Sequence, residues 1–289
     1  MRIIDILNSE KCQGLFAEIQ DFSKMSLSKY NDTLEKNGVH DFDKDIFDFV
    51  WGTVNFTGAE MFILDSPLLQ RLRRIRQLGL ASTVYCNADS SRFSHTIGVT
   101  EIAGRMASII NSRLGSPVDR VFNAVEVVRL AAIFHDNGHM FFSHVSEVYF
   151  TYDKSFPRYD EVTAAKTYFS TQVSTDVSLH ELISVMIVNS PETQRLLRIV
   201  SPILRKSRLN QDEHFEQLTE YISCLIVGTP VDKFILPYAS VINSSVDADK
   251  LDYLSRDSAC TKVPIAVDIA RIVQKLDVVS IREINTPPI

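Results

Sequence analysis

Histidines and an aspartate follow directly on one of the most apolar stretches of this sequence. After Leu130–Phe134 come His135 and Asp136, and His139 and His144 follow shortly afterwards. A polar group at the end of a buried helix needs a partner, and imidazole together with carboxylate is a donor set that divalent ions accept. We therefore expect this segment to bind a divalent metal ion.

Two other segments carry the same side-chain types. His95 lies near the start of an apolar pattern over 94–114, and a further carboxylate can come from the distant acidic stretch Asp247–Ala248–Asp249. An ion shared by the adjacent His-Asp pair must lie close to the backbone, which Gly138 permits. Two imidazoles and two carboxylates suit Fe, Mn, Zn or Mg with coordination positions left for water and a phosphate oxygen. The residue types thus predict a site formed by His95, His135, Asp136 and one carboxylate of that acidic stretch.

Helical spacing of apolar residues dominates the chain, so the elements that position these side chains are predicted to be mainly α-helices. One helix follows Ser66–Pro67 and runs to Gly79 with its arginines in solvent. Another starts at Ser116–Pro117 and ends in the apolar run before His135. Further helices are predicted over 94–114, 178–189, 191–199, 212–227 and 264–276. The strand candidates are 52–56 and 82–85, and 151–178 is interpreted as a loop or an insertion with a short helix.

Composition narrows the class of protein. The chain has 289 residues, 45% hydrophobic and 23% charged, which is typical of a folded domain and excludes a disordered or fibrous protein. The net charge of −6 makes long nucleic acid an unfavourable partner. Four cysteines lie far apart, charge appears within the first five residues, and no apolar run approaches the ~20 residues of a bilayer span. We expect a cytoplasmic protein without a membrane segment.

Five blocks of sequence, in a fixed order, resemble the HD-domain phosphohydrolases and within them the deoxynucleoside triphosphate triphosphohydrolase branch. They are LDSPLLQRLRRIRQLG (64–79), SRFSHTIGVTEIAG (91–104), HDNGHMFFSH (135–144), HELISVMI (180–187) and VDADKLDYLSRD (246–257). The resemblance implies an HD-domain helical bundle with small β-hairpin elements. It divides the chain into an N-terminal helical segment (1–43), the HD domain (44–276) and a tail or truncation point (277–289).

The resemblance also implies a role for individual residues. His95, His135, Asp136 and Asp249 correspond to the family's metal ligands, so the resemblance selects Asp249 from the acidic stretch. His180 corresponds to the proposed catalytic acid/base, with His139 and His144 lining the phosphate site. The implied substrate contacts are Arg92, Gln77, Leu78, Lys250, Tyr253 and Asp257. In the resembled branch, the equivalents of Asp65, Gln70 and Arg73 recognise an activating guanine nucleotide at a subunit contact, which implies a homo-oligomer. Water attacks the α-phosphorus in that family and releases deoxynucleoside and tripolyphosphate.

Two departures from the family keep alternatives open. The family usually has His-Gly where this chain has Trp51–Gly52, and we interpret Trp51 as a hydrophobic cover and the aromatic pairs at 141–142 and 149–150 as core packing. The family's triphosphate-gripping segment lies downstream of Asp249, and the last residues here do not resemble it. A shortened relative, a piece of a longer protein and a substrate with fewer phosphates all agree with that. The alternatives to a nucleoside triphosphate hydrolase are hydrolysis of another nucleotide or of a single-stranded nucleic-acid phosphoester, and a nucleotide-binding module without turnover.

Overall fold

The computed structural model describes residues 2–115, 121–209, 211–229, 232–265 and 267–279. Its helices are α1 (Ile3–Leu7), α2 (Gln13–Asn37), α3 (Gly58–Leu64), α4 (Pro67–Gln70), α5 (Arg92–Leu114), α6 (Ala124–Phe134), α7 (His144–Tyr152), α8 (Tyr159–Val173), α9 (Leu179–Val188), α10 (Pro191–Val200), α11 (Asp212–Val227), α12 (Ala248–Thr261) and α13 (Ile269–Gln274). Short 3₁₀ helices lie at Arg71–Arg74, Gly79–Thr83, Ser201–Ile203 and Leu236–Tyr238. Strands β1 (Asp43–Asp48) and β2 (Gly52–Thr57) form an antiparallel hairpin. The prediction of a mainly α fold is confirmed.

Helices α5 and α6 pack against each other at the centre of the molecule. The start of α5 is set by Ser91, whose hydroxyl accepts from the Ser94 amide, and the start of α6 by Asn123, whose side chain accepts from two amides of the first turn. Leu130, Ile133 and Phe134 are buried, so α6 is apolar on nearly every side where it ends. The side chains that follow α6 are therefore held at the edge of the core.

The helix predicted from Pro67 to Gly79 is wrong in its second half. Helix α4 and the 3₁₀ turn after it end before Ile75, whose backbone is extended. The Ile75 carbonyl accepts from the Arg92 amide at 2.7 Å, and the Gln77 amide donates to the Ser90 carbonyl at 2.8 Å. These bonds to the segment before α5 replace the helical ones, although Ile75 is buried as its apolar character predicts.

Other boundaries depend on contacts that the local pattern does not contain. The strand at 52–56 is confirmed as β2, but its partner β1 is polar and was not predicted. The strand predicted at 82–85 is wrong, since a 3₁₀ helix covers its first two residues and a turn and bend follow, and 151–178 contains the full helix α8. The helix predicted over 264–276 is limited to α13. The predicted start at Ser116–Pro117 lies outside the described residues, and α6 begins at Ala124.

None of the helices in these ranges combines the length and the apolar character that crossing a bilayer requires. Helices α1 and α2, from the predicted N-terminal segment, contribute residues to the same hydrophobic cluster as α5 and α6. The division at residues 43 and 276 stays a prediction, as does the cytoplasmic location. Residues 280–289 of the predicted tail lie outside the described residues.

Candidate metal centre and histidine cluster

The turn after α6 places the adjacent His135 and Asp136 at the end of a buried helix. On α9, the Ser184 hydroxyl donates to the His135 carbonyl at 2.7 Å and accepts from the Gly138 amide at 2.8 Å. A Cβ on Gly138 would lie 1.9 Å from the carbonyl oxygen of His180. Gly138 was predicted to let an ion approach the backbone. In the structure, the space that a side chain would need there is occupied by the start of α9.

Arg71 supports the same turn from its other side. Its guanidinium donates to the backbone carbonyls of Asn137 and His139, and burial lowers the pKa of Arg71 to about 10. The prediction that the arginines after Pro67 are solvated is wrong for this one. Arg71 binds carbonyls that would otherwise lack partners at the end of α6.

Four side chains from α5, α12 and the turn after α6 converge. Nε2 of His95 lies 2.8 Å from Oδ1 of Asp249 and 3.7 Å from Oδ2 of Asp136. Nε2 of His135 lies 3.4 Å from Oδ1 of Asp136 and 4.0 Å from Oδ1 of Asp249. Ligand atoms bound to one ion at about 2.0–2.2 Å lie roughly 3–4 Å from each other. The structure thus brings the four predicted ligands to separations that one ion can bridge.

The hydrogen bonds of both imidazoles direct Nε2 towards this point. Nδ1 of His95 donates to Asp252 at 2.7 Å, and Nδ1 of His135 donates to the Ala132 carbonyl at 2.6 Å. Each Nε2 atom is buried and forms no well-aligned hydrogen bond with the described residues, although Nε2 of His95 lies 2.8 Å from Oδ1 of Asp249. A buried nitrogen left in that state costs about 1–3 kcal/mol, and coordination of a cation would remove the cost. The donor set and its orientation therefore fit a divalent metal ion.

Electrostatics keep the carboxylates of this centre ionised. Burial would raise the pKa of Asp136, but its cationic neighbours, Arg92 first, hold that pKa well below its usual range. Nε2 of His95, 2.8 Å from Oδ1 of Asp249, outweighs burial in the same way and lowers the pKa of that carboxyl. Burial acts to lower the pKa of His95, but the nearby carboxylates of Asp249 and Asp252 outweigh it and raise the pKa to about 10. A cation bound at Nε2 therefore displaces a proton.

Asp252, which sequence reasoning missed, orients His95. Its Oδ2 accepts from His95 and from Nε of Arg256 at 2.8 Å, and its Oδ1 accepts from Nη2 of Arg256 at 2.9 Å and from the Trp51 indole at 2.5 Å. Arg256 donates onward to Asp48, at the end of β1. The interpretation of Trp51 as a cover without chemistry is wrong, because it donates to the carboxylate that holds a ligand. An Asp-Arg pair at i, i+4 on α12 was the available signal.

Arg92, at the start of α5, is buried beside the centre. Its Nη1 donates to Oδ2 of Asp136 at 2.8 Å and its Nε donates to the Ser143 hydroxyl at 2.7 Å. Its Nη2 is buried and forms no hydrogen bond within the described residues. One donor of a fixed cation thus remains available for a further anion.

A second cluster adjoins the first, formed by His139, His144, Glu147 and His180. Oε1 of Glu147 lies 2.7 Å from Nδ1 of His180, 3.3 Å from Nδ1 of His144 and 3.4 Å from Nδ1 of His139. The rings of His139 and His180 are stacked with centroids 3.9 Å apart. Hydrogen bonds from the histidines outweigh burial and lower the pKa of Glu147, and that carboxylate in turn outweighs burial and raises the pKa of His180. Sequence reasoning missed Glu147, although it follows His144 by one helical turn.

Comparison with known proteins agrees with this geometry. A family model for the HD domain matches residues 92–221, the stretch that holds both histidine clusters. The chain belongs to the HD-domain phosphohydrolase superfamily. It is 27% identical over 278 residues to a protein from Dictyostelium discoideum named deoxynucleoside triphosphate triphosphohydrolase SAMHD1 homolog, covering 93% of this chain and 47% of that protein.

Two solved structures are also similar to this chain. A phosphohydrolase from Bacteroides thetaiotaomicron is 29% identical with a TM-score of 0.55, covering 82% of this chain and 47% of that one. A hypothetical protein from Aquifex aeolicus is 25% identical with a TM-score of 0.59, covering 82% and 52%. The present chain therefore spans about half the length of these relatives.

On α12, the residues predicted to contact substrate differ in their availability. Lys250 is engaged, since its Nζ donates to Asp247 at 2.7 Å. Tyr253 is half-buried one turn after Asp249. Asp257 has a buried Oδ1 without a hydrogen-bond partner among the described residues, and burial raises its pKa to about 6. Asp257 is thus the member of this set with an unused acceptor.

Two further predicted substrate contacts precede α5. The side chain of Gln77 is buried, and its Oε1 forms no hydrogen bond with the described residues. Leu78 is half-buried next to it. The extended backbone at Ile75, which replaced the predicted helix, positions this pair beside the start of α5.

The predicted activator residues lie together only in part. The Arg73 Nε donates to Oε1 of Gln70 at 2.7 Å, and the Arg73 guanidinium stacks 3.8 Å from the Phe93 ring centroid. Asp65 is exposed and lies 3.9 Å from Nζ of Lys44. Two of the three residues are therefore in contact with each other at the surface near α5.

The aromatic residues after the His-Asp pair are not in the core. Phe141 is 81% exposed, and Phe142 and Tyr149 are also exposed, so the prediction that they pack around the metal helix is wrong. Helix α7 has no buried residue at all. His144, its first residue, is 67% exposed at the side chain.

Proposed function

We propose that this HD-domain protein is a metal-dependent phosphohydrolase that converts deoxynucleoside triphosphates to deoxynucleoside and tripolyphosphate. The observation that carries the proposal is the convergence of His95, His135, Asp136 and Asp249, with both imidazole Nε2 atoms lacking well-aligned hydrogen bonds, beside a second cluster of histidines. The similarity to a protein named as a deoxynucleoside triphosphate triphosphohydrolase supports the choice of substrate.

The four converging side chains would hold the ion, with His95 oriented by Asp252 and His135 by the Ala132 carbonyl. A divalent ion bound there supplies Lewis-acid polarisation of a phosphoryl oxygen and lowers the pKa of bound water. Asp252 and the carbonyl keep both Nε2 lone pairs pointed at one place, as outer hydrogen bonds do in metal sites.

Cationic side chains of the chain itself would bind the phosphates. Arg92 already neutralises Asp136 and has an unused buried donor, Nη2, so it can bind a phosphate oxygen without moving far. Lys250 must exchange Asp247 for phosphate, since its Nζ is paired at 2.7 Å. Fixed donors of this kind stabilise charge that develops on the transferring group.

The second cluster is suited to moving a proton. His180 is held by Glu147 at 2.7 Å and stacks on His139, so its ring has a defined orientation. An imidazole in this position can donate a proton to the leaving oxygen, with His139 and His144 beside it in the phosphate site. Glu147 then stabilises the cationic form of His180, which makes the carboxylate a positioning group.

The nucleoside would lie along α12 and the segment before α5. Asp257 has an unpartnered buried carboxylate oxygen that can accept from a sugar hydroxyl, and Gln77 has an unpartnered amide oxygen. Leu78 and Tyr253, both half-buried, would supply the apolar and ring contacts to the deoxyribose.

Hydrolysis of a panel of deoxynucleoside triphosphates with Mn²⁺, resolved by product, tests the proposal. Tripolyphosphate together with deoxynucleoside is expected. Nucleoside monophosphate or diphosphate products, or cleavage of single-stranded nucleic acid instead, would show that the substrate is a different phosphoester. Nucleotide binding without any product would indicate a binding module without turnover. Asp136→Ala should lose activity and the ion of the first cluster together. His180→Ala should keep that ion but lose turnover, whereas His40→Gln, at an exposed histidine, is the matched control.

A guanine-nucleotide activator and a homo-oligomer are part of the same proposal. Gln70 and Arg73 present an amide and a guanidinium at the surface, and Asp65 presents a carboxylate nearby in sequence. A guanine base offers donors to a carboxylate and acceptors to a guanidinium. Rate measurements with and without a guanine nucleotide, combined with light scattering, test both parts.

A further inference from the structure

An apolar cavity of about 410 Å³ lies beside the turn that carries His139. Its walls come from α2, from α9, from the segment around Ile75 and from the turn after α6, and Ile19, Phe22 and Ile187 are among the side chains that line it. Cavities of about 300–1,000 Å³ with mostly apolar walls and a few polar groups are typical of small-molecule sites. The shape and lining of this cavity therefore suit a ligand with an apolar body.

The charges at the cavity are basic. Arg71 and Arg74 line it, and none of the described residues that line it is acidic. Arg74 is exposed, whereas the Arg71 guanidinium carbon lies over the Phe22 ring, 5.4 Å from its centroid. A ligand with a negatively charged group would thus meet no acidic side chain among these residues.

Arg71 is a buried cation whose hydrogen bonds, among the described residues, do not go to carboxylates. Its two Nη atoms donate to the backbone carbonyls of Asn137 and His139, and its Nε is buried and forms no hydrogen bond with these residues. Burial lowers the pKa of Arg71, and the charge of Asp136 offsets this only in part. Buried charges are normally paired with an opposite charge, so an anion is the partner that this side chain lacks.

We infer that this cavity binds a small amphipathic carboxylate, with the apolar body between α2 and α9 and the carboxylate against Arg71. The unused Nε of Arg71 and the exposed guanidinium of Arg74 are donors for the two oxygens of a carboxylate. A monoanion fits this site better than a phosphate dianion, because enclosing a second negative charge among apolar walls costs more hydration. Both the body and the charge of the ligand should therefore contribute to its affinity.

Occupation of the cavity would act on the turn that carries His139. Nη1 of Arg71 donates to the His139 carbonyl at 2.8 Å, and a carboxylate at Nε would neutralise the guanidinium without breaking that bond. A ligand that binds only the folded protein raises its melting temperature. Because the His139 ring stacks on His180, we also expect occupation to change turnover. The effect on turnover rests on the proposed function, whereas binding does not.

Calorimetric titration of the 289-residue chain tests the site with octanoate, with octanol, which lacks the charge, and with acetate, which lacks the body. Octanoate should bind at least about tenfold more tightly than either of the others. Ile19→Trp, which fills the cavity from α2, should abolish octanoate binding, and Arg71→Gln should reduce the affinity for octanoate to that for octanol. Ile199→Trp is the matched control at a half-buried isoleucine of α10 that does not line the cavity, and should bind octanoate as the wild type does.

Ile19→Trp keeps the test valid if Arg71→Gln unfolds, because Ile19 is only half-buried and its replacement leaves the hydrogen bonds of Arg71 in place. Wild type that does not bind octanoate, octanol that binds as tightly as octanoate, or unchanged octanoate binding by Ile19→Trp overturns the inference. Octanoate binding by a protein that hydrolyses no phosphoester would refute the proposed function alone. An active phosphohydrolase that does not bind octanoate would refute the carboxylate site alone.

Discussion

Replacing Asp252 with asparagine should weaken metal binding and folding together, through one carboxylate that touches neither substrate nor ion. Asp252 accepts four hydrogen bonds, one from His95, two from Arg256 and one from Trp51. An asparagine keeps the shape but has one acceptor oxygen, and its amide group must face a donor on the other side. His95 then loses the anion that fixes its Nδ1 proton, and Arg256 keeps only Asp48 as a partner.

The expected magnitudes follow from these contacts. Loss of an outer hydrogen bond to a metal-bound histidine typically reduces metal affinity by about 10–100-fold, or roughly 1.4–2.8 kcal/mol. Removing one partner of a buried ion pair costs about 3–5 kcal/mol of unfolding free energy, and both Asp252 and Arg256 are fully buried. The two effects should be measurable separately because the second does not require an ion.

The assay combines Mn²⁺ titration of chelator-treated protein with urea unfolding of the metal-free form. Trp51→Phe is the matched variant, since it removes one hydrogen bond to Asp252 and leaves the bonds from His95 and Arg256 in place. It should lower the free energy of unfolding by about 1.5–3 kcal/mol and change the Mn²⁺ dissociation constant by less than about threefold. A folded Asp252→Asn protein with the wild-type dissociation constant would refute the role given to this carboxylate.

Three further perturbations address other parts of the site. Gly138→Ala should displace α9 or prevent folding, because its Cβ would meet the His180 carbonyl at 1.9 Å; a variant with unchanged melting temperature would contradict that packing. Burial raises the pKa of Asp257 to about 6, so the folded, metal-free protein holds a proton there that the unfolded chain releases near pH ~4. This contribution to the free energy of unfolding is complete below pH ~4 and disappears as pH rises through about 6. Its size is on the order of 1 kcal/mol after allowance for partial exposure. The free energy of unfolding of Asp257→Asn, measured with urea, should therefore depend less on pH than that of the wild type. Arg73→Ala should reduce stimulation by a guanine nucleotide and oligomer formation; an unchanged nucleotide dependence and oligomeric state would remove the activator site.

Side-chain chemistry was predicted from sequence better than backbone path. Spacing alone predicted α9, α10 and α11 within about one residue of their observed ends. The segment at Ile75–Leu78 could not be predicted, because its amides and carbonyls pair with residues just before α5 instead of with the preceding turn. An apolar residue at helical spacing is equally compatible with extended backbone when a tertiary partner competes for its hydrogen bonds.

The metal ligands could be predicted because their residue types indicate metal binding. The residues that orient the ligands could not be predicted, because their roles depend on the folded geometry. Histidines after an apolar run pointed to a cation, and the structure brings His95 and Asp249 together although they are far apart in sequence. Asp252 and Glu147 were missed because acidic residues on polar helix faces are common, and only folding shows which of them faces an imidazole. Trp51 was predicted to be a hydrophobic cover because its ring is apolar, but its indole N–H donates a hydrogen bond to Asp252.

The two clusters differ in what anchors them. His95 and His135 extend from α5 and α6, whose side chains form the centre of the core, whereas His144 and Glu147 belong to α7, which has no buried residue. Opening a segment that buries little apolar surface costs little free energy. We therefore expect α7 to open at a lower free-energy cost than α5 or α6, which would separate His144 and Glu147 from His139 and His180 while the first cluster keeps its shape.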